Sequence, residues 1–408
     1  MTSRERVRKV LNHEEADRMP IDFGAMRSTG MTAVAYNNLK KYLGMDTSTT
    51  KIYDIWQQLA EPEPELIERF HGDVVQLHRL APSFNIPINE WKPGTDVEGT
   101  PSLVAKTFNP VTNEKGDKLL FNAAGDVIAH LPAGGYYYDQ VCHPLKDAEC
   151  EKDIDERIDF SEITQEEAEW LHNEAKRLYE TTDKAILAEF VGSAFYESGQ
   201  YDFGYDVYYE NLVLEKELVH HYNTRRLEML KASARTYLDA VGDYIDVFHM
   251  GDDLGTQQAP QISVEMYREM IKPYHKELFS YIHKLRPDVK IFYHCCGSIY
   301  PFIPELIDAG IDILNPIQLT ARNMDARKIK EEFGDRLSFW GGGCNMTTTG
   351  TNGSLEEIEA EVKELSGIFK KGGGYVFNQV HNIQNDVTPE RTIAIYDSAY
   401  KYASYGQA

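Results

Sequence analysis

The chain has 408 residues, a formal net charge of -23, and 42% hydrophobic and 11% aromatic residues, a composition that fits a folded globular protein and excludes a disordered or collagen-like one. The negative field disfavours nucleic acid and anionic lipid, which are met by clustered Lys and Arg. No nucleic-acid and no membrane partner is therefore expected. Residues 1–20 are charged without an apolar segment, no stretch approaches the ~18 apolar residues of a membrane span, and a cytoplasmic location follows.

In chain order, Thr2 or Ser3 caps a first helix with Val7, Val10 and Leu11 on one side. Ile21–Gly24 is a short strand leading into the loop 25–30, which carries Arg27. Helices are expected around Val34–Leu43 and Ile52–Phe70, then a second strand, Asp73–Leu77. Residues 80–145 alternate β-formers with turns such as Asn113-Glu114-Lys115-Gly116-Asp117, the pattern of inserted antiparallel hairpins. Beyond residue 160, strands are expected at Ala185–Phe190, Tyr244–Met250, Val289–Tyr293, Ile311–Asn315, Leu337–Trp340 and Gly374–Asn378, with helices between them. Eight strands with intervening helices predict an α/β fold, a (β/α)8 TIM barrel formed by residues 1–408 as one domain, with the hairpins inserted near 80–145. A doubly wound sheet is disfavoured because no Gly-x-Gly-x-x-Gly follows the first strand.

Barrel enzymes carry their chemistry where strands end. In Tyr293-His294-Cys295-Cys296-Gly297, extended backbone sends His294 and Cys296 to one face and Cys295 to the other. A His-x-Cys pair fits one metal ion such as zinc, and Cys344 and His381 at neighbouring strand ends are the candidates to complete it; the alternative is a core histidine beside buried thiols. Five cysteines cannot all pair within one chain, so ligand or reactive roles precede disulfides. Asp252 and Asp253 end another strand as candidate catalytic carboxylates, with helix capping as the alternative for either. Arg27, Gln257, Asn315, Gln318, Asn382 and Gln384 are candidate substrate-binding groups.

Several segments bear a resemblance to a known family. They are Arg4-Glu5-Arg6-Val7, Asp17-Arg18-Met19-Pro20, Gly251-Asp252-Asp253-Leu254-Gly255-Thr256-Gln257, His294-Cys295-Cys296-Gly297, Asn315-Pro316-Ile317-Gln318, Trp340-Gly341-Gly342 and His381-Asn382-Ile383-Gln384. Through them nearly the whole chain resembles the uroporphyrinogen decarboxylase superfamily of TIM-barrel proteins, which also contains methylcobamide:coenzyme M methyltransferases. The loop Phe23–Gly30 lacks the Arg-Gln-Ala-Gly-Arg stretch with which uroporphyrinogen decarboxylases hold substrate carboxylates. The chain therefore looks closer to the methyltransferase-like branch.

That resemblance implies zinc on His294 and Cys296, with His381 in the third position and Cys344 as a substitute or fourth ligand. It further implies methyl transfer between a small substrate and a corrinoid such as methylcobalamin carried by a partner protein, with Asp253 orienting the substrate; superfamily members often form homodimers. The rival expectations are decarboxylation of a small polar acid or a tetrapyrrole, with Arg27 holding the carboxylate, a lyase or hydrolase that uses zinc-bound water, and a non-catalytic corrinoid- or tetrapyrrole-binding barrel.

Overall fold

The structure, a computed structural model, describes residues 1–405. Its frame is a seven-stranded sheet in the order Tyr375–Val376, Ser338–Trp340, Ile313–Asn315, Lys290–His294, Val247–Gly251, Ala185–Glu189, Val74–Leu77. All six pairings are parallel. Strands adjacent in the sheet are consecutive within this series, and helices such as Lys216–Val241 and Leu355–Phe369 fill the crossovers, as parallel pairing requires.

Side chains alternate across the sheet. Leu187, Val247, Phe292, Ile313 and Trp340 form a compact inner cluster. Ile186, Phe248, Ile291, Leu314 and Phe339 face outward into the large cluster shared with the helices. Each strand is thus apolar on both faces, which makes it read in sequence as a continuous hydrophobic run.

The expected first strand, Ile21–Gly24, is reduced to one residue. Ile21 makes a single parallel bridge to Phe377, and its carbonyl accepts the Asp73 N–H at 2.7 Å. Gly24, at φ +87°, turns the chain away immediately, and the Asp22 carboxylate binds the Ala25 N–H at 2.6 Å. The expectation of eight regular barrel strands is met in part, by a curled parallel sheet of seven strands whose two edges both bond to Ile21.

The helix expected over Ile52–Phe70 is also corrected. Lys51–Asp54 is a strand, parallel to Pro101–Ala105 and antiparallel to Leu59–Ala60, and only Pro64–Arg69 is helical. Pro62 and Pro64 block a continuous helix, and Ile52 and Tyr53 fit the pleated surface that a segment fifty residues away provides. The hairpins expected near 80–145 form as Trp91–Thr95 with Pro101–Ala105, and as an antiparallel sheet of Val111–Thr112, Lys118–Phe121, Val127–Leu131 and Asp139–Gln140. The first helix is capped by Thr2, in a capping box with Glu5. Among the described residues, no helix is long and apolar enough to cross a membrane.

Candidate active site

The sheet opens at its C-terminal strand ends into a cavity of about 520 Å³. His249, Asp253, His294 and His381 line it from strand ends, Arg79 and Glu197 from the segments beyond two others, Trp56 from the turn between Lys51–Asp54 and Leu59–Ala60, and Phe84 from the inserted region.

The loops at residues 253–257 and 294–297 approach backbone to backbone. A Cβ on Gly255 would lie 2.6 Å from the Cys296 carbonyl oxygen, and one on Gly297, at φ +91°, would lie 2.5 Å from the Gly255 carbonyl carbon. No other residue type permits that approach. It brings the Cys296 N–H to 2.6 Å from Asp253 Oδ1.

His294 Nε2 lies 3.2 Å from Cys296 Sγ and 3.6 Å from Asp253 Oδ1. Nδ1 of His294 is 2.8 Å from Asn315 Oδ1, and because Asn315 Nδ2 donates to the Trp340 carbonyl at 2.9 Å, Oδ1 is the acceptor and Nδ1 carries the proton. The Nε2 lone pair is left to face Cys296. The His381 ring is centred 5.8 Å from that of His294. One donor atom from each of His294, Cys296 and His381 falls within 4.8 Å of the others, somewhat wider than tetrahedral zinc bonds of ~2.0–2.3 Å require. Burial, then the nearby His294, pushes His381 down to about 4, so it is a neutral imidazole with a lone pair to offer. The Cys296 thiol is pushed well up, first by burial and then by Asp253. Cys295 points away, with its Sγ accepting the Leu254 N–H at 3.4 Å.

Cys344 does not belong to this set. Its thiol lies 3.5 Å from Glu361 Oε2 on the helix Leu355–Phe369, because Gly343 packs against the Phe377 ring, with room for no Cβ, and turns the loop outward. Asp252 is likewise withdrawn from the cavity. It is fully buried, accepts the N–H groups of Phe195 and Glu197 at 2.9 Å each, and pairs with His275 at 2.9 Å. Its work is to cap the helix Tyr196–Phe203 and so position Glu197.

The remaining candidates occupy different places. Arg27 lines the cavity but is balanced by Asp54 at 2.5 Å and Glu189 at 3.1 Å. Gln318 accepts the Gly297 N–H at 2.8 Å and donates to Gln257 at 2.9 Å; this pair braces the 294–297 loop from outside. Asn382 donates to Gln57 Oε1 at 2.6 Å. Asn382 and Gln384 are not on the cavity wall.

Three charged groups on the wall escape a reading of motifs. Arg79 is held bidentately by Glu167 at 2.5 and 2.8 Å. Arg226 donates only to the backbone carbonyls of Ala194 and Ser193, at 2.8 and 3.4 Å, and makes no ion pair among the described residues. Glu197 is pushed well above the ordinary carboxylate range, first by burial and then by Asp253 and Asp252. Arg79 lies two residues beyond a strand and Glu197 eight beyond another, so strand-end logic reaches the first; Arg226, within the helix Lys216–Val241, gives no signal.

A parallel α/β frame with carboxylates, imidazoles and guanidiniums around a cavity at the strand ends is the arrangement of a small-molecule site in a barrel-like fold. Residues 156–402 match the family model for uroporphyrinogen decarboxylase (URO-D). The chain belongs to the uroporphyrinogen decarboxylase family. It is 31% identical over 157 residues to the uroporphyrinogen decarboxylase of Chlorobium phaeobacteroides, covering 37% of this chain and 40% of that one. It is 24% identical over 191 residues to that of Chloroherpeton thalassium, covering 46% and 52%. The chain thus spans about half or less of the length of these curated relatives. A methyltransferase from Methanosarcina mazei shares the fold, with a TM-score of 0.59 at 16% identity over 98% of this chain and 99% of that one. The expected closeness to the methyltransferase-like branch is overturned, since the sequence matches are to uroporphyrinogen decarboxylases. A His-x-Cys pair is too short a motif to outweigh them.

Proposed function

We propose that this chain decarboxylates a small carboxylic acid bound in the cavity at the mouth of a barrel-like sheet. One observation carries the reading. Glu197, which burial and Asp253 keep protonated, shares a wall with Arg226, a guanidinium free of any ion pair among the described residues. In this reading Arg226 holds the substrate carboxylate. Glu197 gives its proton to the carbon that bears the carboxylate, and the C–C bond breaks with its electron pair remaining on that carbon. Carbon dioxide leaves, and Glu197 regains a proton from solvent. Asp253 raises the proton affinity of Glu197 and receives the Cys296 N–H, which orders the two loops.

His294, Cys296 and His381 fit a zinc-class ion by their donor types and by the tautomer that Asn315 imposes. Such an ion would polarise a substrate oxygen as a Lewis acid.

The test is release of carbon dioxide from carboxylic acids by the purified protein in heavy water. One deuterium at the vacated carbon and loss of release in Glu197→Gln are expected. Acids that bind without releasing carbon dioxide would end the proposal.

A second reading, methyl transfer with a corrinoid delivered by a carrier protein, is favoured by one observation, the thiol among the three donors. Conversion of methylcob(III)alamin to cob(I)alamin in the presence of an acceptor separates it from decarboxylation.

A further inference from the structure

We propose that the acid taken by this site is a monocarboxylate built on a single planar ring, rather than a polycarboxylate of tetrapyrrole size; the inference deepens the decarboxylase reading and rests on it for the reaction. The argument begins with charge. Three guanidiniums reach the cavity wall, but Arg27 is neutralised by Asp54 and Glu189, and Arg79 by both oxygens of Glu167. Arg226 alone is left to meet an anion. Of the acids on the same wall, Glu189 is already paired with Arg27 and Glu197 is the protonated donor, which leaves the carboxylate of Asp253. A second or third substrate carboxylate would face Asp253 with no cation left to pair with it, and a buried ion without a counter-charge is strongly disfavoured. A metal ion on His294, Cys296 and His381 leaves the count nearly unchanged, because the Cys296 thiolate and Asp253, 3.6 Å from His294, offset its two charges.

The uncharged part of the wall supplies the shape. Trp56 and Phe84 are stacked with centroids 5.0 Å apart and an interplanar angle of 16°, and Tyr201 lies 5.3 Å from Trp56. All three line the cavity. Such an aromatic wall favours another ring over an alkyl chain. A cavity of about 520 Å³ suits one ring and its substituents, within the ~300–1,000 Å³ usual for small ligands.

Two further polar atoms on the wall have no partner among the described residues. Ser83 Oγ and His249 Nδ1 both belong to residues more than nine-tenths buried. A buried polar atom without a partner is destabilising, and a hydroxyl or carbonyl substituent on the ring would satisfy either one.

The experiment is titration calorimetry of the full chain with 4-hydroxybenzoate, cyclohexanecarboxylate, acetate and benzene-1,3,5-tricarboxylate. The hydroxybenzoate is expected to bind at least tenfold tighter than each of the others. Trp56→Ala should remove most of that advantage over acetate, Arg226→Lys should weaken both by a similar factor, and thermal melts should confirm that both variants fold. Tighter binding of the tricarboxylate, an advantage that survives in Trp56→Ala, or no binding of any ring acid overturns the inference. Ring-acid binding without carbon dioxide release would sink the decarboxylase reading and leave this one standing. Carbon dioxide released only from polycarboxylates would do the reverse.

Discussion

Asn315 decides which nitrogen of His294 faces the cavity. Its Oδ1 receives the Nδ1 proton at 2.8 Å and the Ser28 hydroxyl at 2.8 Å, while its Nδ2 is engaged by the Trp340 carbonyl. The amide therefore cannot flip, and His294 presents Nε2 to Cys296. Residues that fix a ligand's tautomer contribute ~10–100-fold in metal affinity. Asn315→Ala is expected to weaken zinc binding by about that factor, read by competition with a chromophoric chelator. An unchanged affinity in a folded variant would show that the ring needs no such restraint.

Cysteine replacements should separate the two thiols that the sequence left as alternatives. Cys296→Ala and His381→Ala are expected to lose bound zinc, measured by elemental analysis after dialysis. Cys344→Ala is expected to retain it, at a stability cost of about 1–2 kcal/mol for a buried site, because its thiol faces Glu361. Zinc loss in the last variant would contradict the geometry.

Glu197→Gln keeps the shape and removes the acidic proton. With a decarboxylated substrate in hand, kcat is expected to fall ~10²–10⁴-fold, the usual scale of general acid catalysis, with KM nearly unchanged. An intact kcat would exclude Glu197 as the proton donor.

Asp22 gives stability a defined pH dependence. Burial pushes its carboxyl up to about 6, against hydrogen bonds from Ala25 and the Trp340 indole. A raised folded pKa means that the folded state binds the proton more tightly. The contribution is therefore fully present below the unfolded value of about 4 and is lost as pH rises through 6. Asp22→Asn should flatten the melting temperature between pH 4 and 6 relative to the parent protein; an identical pH profile would rule the residue out.

Asp73 is fully buried and binds Arg6 at 2.7 Å, Arg18 at 2.6 Å and the Ile21 N–H at 2.9 Å. Asp73→Ala strands two guanidiniums and is expected to cost ~3–5 kcal/mol, measured by urea unfolding. A cost below 1 kcal/mol would mean that Asp17 and water replace it.

The strand series was legible because parallel strands buried on both faces leave apolar runs such as Ile291-Phe292-Tyr293, and their ends carry the chemistry. His294, Cys296, His381 and Asp253 were found that way, and the structure brings them together. Ile52–Asp54 reads as helix because, of its two pairing partners, Pro101–Ala105 is distant in sequence and Leu59–Ala60 is only two residues long, so no local pattern reports the strand. Arg226 was invisible for a similar reason: a lone arginine in a long helix looks like a solvated one until the loop it touches is known. Asp252 and Asp253 differ only in which way each carboxylate turns, and neighbours alone could not tell the capping residue from the one on the cavity wall.

The bridge between Ile21 and Phe377, made by bonds from the Phe377 N–H to the Pro20 carbonyl and from the Asp22 N–H to the Phe377 carbonyl, joins the two ends of the sheet across most of the sequence, and His381 follows shortly after. A contact of such high sequence separation repays its loop-closure entropy late, so the two edge strands of the sheet are joined only after the strands between them have paired. His381, just beyond Phe377, takes its place beside His294 together with that closure, so a partly folded chain with the seam open holds the two imidazoles apart.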